Sequence, residues 1–334
     1  MGDFMKKIYE NLVQIPYLSI YTKVLFSALE LKLFDYLKEA KTSKEISDEL
    51  KFHHQNTELF LNGLYSLGLL KKEDDKFQNM EETNRYLISS SPYFFGDFLR
   101  ASTNINDPKD FDFVEMIKYG PNIGAIENDE LSFEDMFQDM KDSQSAIRST
   151  EIVEIVRKLK EYSSIKKILD LGCGAGLMGL SIVSSRDDIS GVLFDKPEMG
   201  PLINQCVEEK NLGNRVEVKL GDFLEDDIGN GYDFVLSVGT FFFAKFMMAT
   251  FLEKIYDSLN NGGVFMTIVD EISLDYSKPK EFVLSWLPYA MNGMDIYMTE
   301  NLFKDEAKEV GFKDIEESEK LLAFGHLKVF ILRK

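Results

Sequence analysis

The sequence predicts an α/β protein: a mostly helical N-terminal domain over residues 1–100, a connector over 101–150 and a parallel-sheet domain over 151–334. Three observations carry this. The first hundred residues read as three helices followed by a short hairpin. From Ser149 onward, apolar strand-like runs alternate with helix-length segments, the sign of a parallel sheet with crossover helices. The stretch "KKILDLGCGAGLMGLSIV" takes a strand through a glycine turn directly into a helix.

In the N-terminal part, "YTKVLFSALELKLFDYLKEA" places Leu25, Leu29, Leu33 and Leu37 at helical spacing. "TSKEISDEL" opens with Thr42 and has Glu45 three residues on, a capping-box pattern. "NTELFLNGLYSLGLL" is a third helix ended by Gly68, and "LLKKEDDKFQNM" is a hairpin turning at Asp74 and Asp75. That order is a winged helix and raises DNA binding. From Thr57 to Leu70, however, the third helix has no Lys or Arg, and phosphate contacts supply most nucleic-acid affinity. His53 and His54 are expected on the surface, and the apolar surplus fits dimerisation instead. The connector mixes Pro, Gly and aromatic residues and is expected to cap a pocket.

Composition narrows the class. With 44% apolar and 28% charged residues, the chain has the make-up of an ordinary globular protein. Its net charge is −19. Residues 1–100 hold 13 Lys and Arg against 15 Asp and Glu, leaving 25 against 42 in the rest. Neither part offers the clustered positive charge that nucleic acid or an anionic membrane requires. No apolar run approaches the ~20 residues of a membrane span. Two cysteines fit a reducing compartment, and the expected location is the cytoplasm.

Gly172, Gly174 and Gly176 form a G-x-G-x-G turn, preceded by Asp170 at the strand end. A dinucleotide fingerprint has a different spacing, and a carboxylate there suits a cofactor carrying positive charge. The next strand, "SGVLFD", ends in Asp195, placed to accept from ribose hydroxyls. A third, "RVEVKLGDF", ends in Asp222, which could accept from an exocyclic amine, and Phe223, which offers a stacking face. Three successive strand ends with carboxylates point to a nucleoside cofactor. No metal is expected.

In their order and spacing, "LDLGCGAG", "LFDKP", "GDFLE" and "NNGGVF" resemble the class I S-adenosylmethionine-dependent methyltransferases. The front-end segments "ALELKLFDYL", "TSKEISDEL" and "LNGLYSLGLL" narrow the resemblance to the dimeric small-molecule O-methyltransferases. That family includes plant caffeic acid and bacterial polyketide and hydroxyindole enzymes. The resemblance spans essentially the whole chain. It implies a Rossmann-like methyltransferase domain behind a winged-helix dimerisation domain, S-adenosylmethionine as cofactor, a homodimer, and a small-molecule acceptor. It also implies a cofactor set of Asp170, Gly172, Gly174, Gly176, Asp195, Asp222, Phe223 and Ser237. In that set the glycine loop holds the methionine moiety, Asp195 the ribose, and Asp222 with Phe223 the adenine; Cys173 is simply a small loop residue.

Plant members of the family place a general-base histidine after the fourth strand. Counting back from "FLEKIYDSL" puts that position at Phe241 and its neighbouring acid at Phe242. A second family carboxylate falls near Tyr297, and a third at Asp270 or Glu271. Tyr297 and Glu271 are thus the candidate catalytic groups. Phe241, Phe242 and Phe243 are expected to line the acceptor pocket, with Trp286, Met291, Met294, Tyr297 and Met298 opposite; His326 is expected to be structural. Without a base, the acceptor would be pre-ionised or soft: a thiol, an acidic hydroxyl, an amine or a ring carbon. Two alternatives stay open. One is a relative that keeps the cofactor site but decarboxylates, hydroxylates or rearranges its substrate. The other is a ligand-sensing winged-helix regulator, which the uncharged third helix disfavours.

Overall fold

The computed structural model describes residues 2–105, 112–121, 133–299 and 303–334. Parts of the expected connector, residues 106–111 and 122–132, lie outside them. The chain divides into two compact units, Met1–Arg100 and Ala101–Lys334.

In the first unit, the predicted long helix is two. Leu18–Glu30 ends at a left-handed Lys32 (φ 52°), and Leu33–Tyr36 starts a new helix. The break turns Leu33, Phe34 and Leu37 into the same core as Leu29, Leu61, Leu64 and Phe77. Thr42 and Glu45 form the capping box: Glu45 N–H donates to Thr42 Oγ1 (3.1 Å), and Thr42 N–H donates to Glu45 Oε2 (2.7 Å). The two histidines serve the helix that follows. His53 Nδ1 accepts from Asn56 N–H at its start, and His54 Nδ1 lies 3.2 Å from Ser47 Oγ. Strands β1 (Lys41–Thr42), β2 (Leu70–Glu73) and β3 (Lys76–Asn79) form an antiparallel sheet in the order β1-β3-β2, with Asp74 at positive φ in the turn.

Ahead of this core, the helical stretch Ile8–Glu30 contains an 18-residue window with a mean hydropathy of 1.3, of which 11% is buried. By length and composition alone the stretch reaches the size of a membrane span. It also carries Glu10, Lys23 and Glu30 and the polar Asn11, Gln14 and Ser19. Ile8, Leu12, Ile15, Leu18 and Ile20 are all exposed along it.

The second unit is built on a seven-stranded sheet of order β6-β5-β4-β7-β8-β10-β9. Its strands are β4 (Lys167–Leu171), β5 (Ser190–Asp195), β6 (Val216–Leu220), β7 (Tyr232–Val238), β8 (Leu259–Val269), β9 (Asp314–Leu322) and β10 (Gly325–Arg333). Strands β4 to β8 are parallel; β10 runs antiparallel to both β8 and β9. Central β4, β7 and β8 are apolar nearly throughout because helices cover both faces. Edge strand β9, "DIEESEKLL", alternates charge with partial burial, which protects an open edge from mispairing. His326, on β10, is exposed beside Glu319.

Alternation along the strands sorts the core into two faces. Ile168, Phe234, Leu236, Met266 and Ile268 face one cluster, with helices Ile147–Arg157, Leu177–Ser184 and Gly200–Glu209. Leu169, Leu171, Val235 and Phe265 face the other, with helices Met248–Ser258 and Lys304–Val310. Strand order reverses direction between β4 and β7, and ligands bind outside the carboxyl ends of strands at such a switch point. Phe251 sits fully buried in the second cluster, 5.4 Å from the Phe223 ring and 5.8 Å from the Phe241 ring. Phe251→Ala is therefore expected to cost about 3–5 kcal/mol. Chemical denaturation checks this, and a loss below about 1 kcal/mol would show that the aromatic cluster does not hold the unit together.

Candidate active site

The glycine loop follows β4 and is hung from the end of β5: the N–H groups of Gly172 and Cys173 both donate to Phe194 O (2.9 and 3.1 Å). Gly172, Gly174 and Gly176 all take positive φ. At Gly174 (φ 58°) a Cβ would lie 2.6 Å from Gln144 Nε2 and 2.8 Å from Met140 Sδ, so the loop is pressed against a second element. Gln144 grips that loop with both ends of its amide. Its Nε2 donates to Cys173 O (3.0 Å), and its Oε1 accepts from Leu177 N–H (3.2 Å). Sequence reasoning passed over Gln144 and Met140, because nothing in "QDMKDSQS" marks a partner some thirty residues away.

Two carboxylates flank the loop. Asp170 is 3% exposed, and its Oδ2 accepts from Gly179 N–H at 2.8 Å. A Cβ at Gly179 would stand 2.7 Å from that oxygen, so a glycine is required there too. Burial, reinforced by the charge of Asp195, pushes the Asp170 carboxyl up to about 7. Asp195 accepts from Gly174 N–H through Oδ2 (2.6 Å) and from Lys196 N–H through Oδ1 (2.7 Å), and burial raises its pKa as well. Among the described residues, neither forms an ion pair. A buried acidic site without its own cation fits a cofactor that brings positive charge. Cys173, inside the loop, is buried and its thiol pushed up, so it remains protonated and inert.

The other expected cofactor residues are placed less openly. Asp222 follows β6, and its Oδ1 accepts from Leu224 N–H (2.9 Å). Phe223 is 8% exposed and packs into the aromatic cluster. Ser237 is placed inside the sheet. It is fully buried within β7, with Oγ donating to Leu171 O (3.0 Å) and contacting Thr240 Oγ1, so its hydroxyl serves the sheet.

The expected acceptor wall also divides. Phe241 is 3% exposed and packs edge-on to Phe303 at 4.7 Å and to Phe251, on the second face of the sheet. The chain leaving β7 turns the Phe241 side chain under the sheet, and Met298, whose carbonyl accepts from Ile272 N–H, packs into the same cluster. Phe242 is half-buried against exposed Phe243; Met291 is half-buried and Met294 exposed. Trp286 and Tyr297 pack against the first face.

The two catalytic candidates are both engaged with other groups. Tyr297 donates its hydroxyl to Val283 O (2.7 Å), and burial raises its pKa, which keeps it a neutral donor. Glu271 is buried on the second face and ion-paired to Lys328 Nζ at 3.0 Å, which in turn meets Glu317 at 3.1 Å. Asp270, one residue earlier, points to the first face. Its Oδ2 accepts from Trp286 Nε1 at 2.7 Å, and burial raises its pKa. On that face a small cavity of about 10 Å³ is lined by Val238 and Ile268 at the ends of β7 and β8, by Ile152, Leu322, Phe324 and Leu327, and by Arg148 and Glu151. Arg148 and Glu151 escaped sequence reasoning; their one-turn spacing on an otherwise apolar helix face was the available signal.

Comparison with known proteins adds to this. Residues 14–89 match the O-methyltransferase dimerisation domain, and residues 110–313 match the O-methyltransferase domain. The uncharacterized protein MJ0086 of Methanocaldococcus jannaschii is 25% identical over 88% of this chain and 81% of its own length. The N,N-dimethyltransferase OxyT of Streptomyces rimosus is 22% identical over 93% of this chain and 92% of its own. The structure of human N-acetylserotonin methyltransferase with SAM shares the fold, with a TM-score of 0.69 at 20% identity over 98% of this chain and 97% of that one.

The raised Asp170 pKa makes a signed prediction. A carboxyl at about 7 when folded and near 3.8 when unfolded favours folding at low pH and loses that contribution as pH rises through this window. The ligand-free wild type should therefore lose stability between about pH 4 and 7 relative to Asp170→Asn. Parallel denaturation curves for the two proteins across that range would refute the assignment.

Proposed function

Because the chain belongs to the S-adenosylmethionine-dependent O-methyltransferase family, we propose that it methylates a small, largely apolar or aromatic acceptor whose nucleophile is already ionised or soft. The observation that carries this is the position of Phe241. By the family resemblance, the position of the plant histidine falls at Phe241, whose ring is buried in the aromatic core.

When bound, S-adenosylmethionine supplies an electrophilic methyl group. The glycine loop, held by Gln144 and Phe194, would present backbone to it, while Asp170 and Asp195 would balance its positive charge. The acceptor site would desolvate and align the acceptor, and alignment alone accounts for a large share of such an acceleration. Without a histidine at that position, thiols, acidic hydroxyls, amines or ring carbons are favoured over neutral alcohols. OxyT, by its name, acts on nitrogen, so family membership does not restrict the acceptor atom to oxygen.

A second reading is favoured by Asp270, whose carboxyl is buried on the first face of the sheet with a raised pKa. In that reading it accepts the acceptor's proton. S-adenosylhomocysteine release across pH 6–9, measured with thiols and phenols of graded pKa, separates the two. If the nucleophile arrives ionised, each acceptor's turnover rises with its own pKa, and Asp270→Asn leaves the profiles in place. If Asp270 is the base, all acceptors share one enzyme pKa, and the variant lowers turnover by roughly 10²–10⁴. Phe241→His should add no activity and should cost stability, because it buries an imidazole among rings.

The remaining parts follow the same family logic. The exposed apolar residues Ile15, Leu18 and Ile20 lie within the segment matching the dimerisation domain, so a second copy is their proposed cover. Residues 101–150 would form the cap of the acceptor site. The free thiols Cys173 and Cys206, both buried, accord with a cytoplasmic location.

A further inference from the structure

The helix after the glycine loop, Leu177–Ser184, starts at Gly176, a left-handed residue (φ 76°) with no side chain to cap it. Helix starts leave backbone N–H groups in need of an acceptor, and a Ser, Thr, Asp or Asn at that position ordinarily supplies one. Here the acceptor comes from a distant segment. Gln144 Oε1 accepts from Leu177 N–H at 3.2 Å, and Nε2 of the same amide donates to Cys173 O at 3.0 Å. One side chain thus bridges the loop from Cys173 to the start of the helix. A side-chain amide offers a donor and an acceptor side by side, whereas a carboxylate only accepts.

The surroundings of Gln144 hold that amide in place. Phe137, Met140 and Gln144 share one face of helix Phe133–Gln144, and the first two pack against the first-face core. Gln144 is 7% exposed, and its carbonyl accepts from Ser149 Oγ at 2.6 Å. Two residues on, Ala146 turns the chain into helix Ile147–Arg157 at φ 40° and ψ −100°, a conformation costly for a residue with a Cβ. Such a conformation persists only where the surrounding structure enforces it. Gln144 Nε2 and Met140 Sδ crowd the space beside Gly174, so loop and helix leave each other no slack. The same helix is also tied to helix Gly200–Glu209 by a surface ion pair, Lys141 Nζ to Glu209 Oε2 at 2.7 Å.

We propose that Gln144 is a positioning residue of the cofactor site. Its amide holds the glycine loop in the shape that receives S-adenosylmethionine, and the seating of helix Phe133–Gln144 and cofactor binding favour each other. Lifting the helix would leave Cys173 O and Leu177 N–H without this partner in residues that are 2% and 6% exposed. A loop with three positive-φ glycines has little side-chain packing of its own to keep its path. Coupling of this kind is reciprocal: whatever the helix adds to cofactor affinity, the cofactor adds to the seating of the helix. The inference concerns the cofactor alone and stands whichever acceptor atom is methylated.

The test pairs calorimetric titration of full-length protein with S-adenosylhomocysteine and hydrogen exchange over residues 133–144. In wild type, saturating S-adenosylhomocysteine should slow exchange in that segment. Gln144→Met keeps the reach of the side chain but neither hydrogen bond. It should weaken binding roughly ten- to hundred-fold and abolish the slowing even at saturation. Gln144→Asn, an amide on a shorter stem, should recover part of the affinity. Lys141→Ala removes the surface tie of the same helix and should change affinity by less than about five-fold. Thermal melting without ligand verifies that each variant is folded; should the Met variant fail it, the wild-type exchange and the Asn variant, which must then bind more weakly than wild type, decide. A folded Gln144→Met that binds as tightly as wild type overturns the proposal. So does exchange over 133–144 that S-adenosylhomocysteine leaves unchanged in wild type. Equal losses in Gln144→Met and Lys141→Ala overturn it as well, because docking of the helix, and not the amide, would then set the affinity.

Discussion

A carboxylate buried at the end of β4 organises the catalytic unit. Asp170 reaches the first turn of the following helix, where Gly179 N–H meets it, and no side chain larger than hydrogen fits between them. That contact fixes how the chain leaves the strand, and with it the path of the glycine loop. The loop is then held from both sides, by Phe194 O from β5 and by the amide of Gln144, the last residue of the helix Phe133–Gln144. Such a site holds uncompensated negative charge, a cost that a cationic cofactor relieves. Structure and binding are thus linked by one electrostatic debt at the switch point of the sheet.

The sheet divides the labour between its faces. One face buries a cluster of rings, among them Phe241, Phe251, Phe265 and Phe303, in edge-to-face contact. The other carries a small cavity with Arg148 and Glu151 in its lining, and the Asp270–Trp286 hydrogen bond. The aromatic face answers why three phenylalanines follow β7. Phe241 anchors the loop in the core, Phe242 is half-buried, and Phe243 is exposed. The greasy stretch is mostly scaffold, and the polar groups of the other face come from other elements.

Much of this was legible in the sequence. The strand–glycine–helix passage, the carboxylates closing β4 and β5, the Thr42 capping box and the Asp74 turn are local patterns, and local geometry alone requires those residue types. Less legible were features that depend on a single residue of register. Asp270 and Glu271 are adjacent, yet strand alternation sends one to a hydrogen bond with Trp286 and the other to an ion pair with Lys328. Lys32 was unremarkable within an apolar helical pattern, and its left-handed turn appears only because Leu33 and Leu37 gain a core by it.

The sequence by itself determined the class of fold and the strand–glycine–helix passage after β4, because each is written in contiguous residues whose backbone needs are strict. Only the tertiary structure decided which side chains meet. Arg148 and Asp270 are more than a hundred residues apart, and the burial of Ser237 in the sheet and of Phe241 in the aromatic core follows from contacts with distant segments. Packing is a property of surfaces brought together by the whole chain, and no spacing along one segment encodes the partner on another.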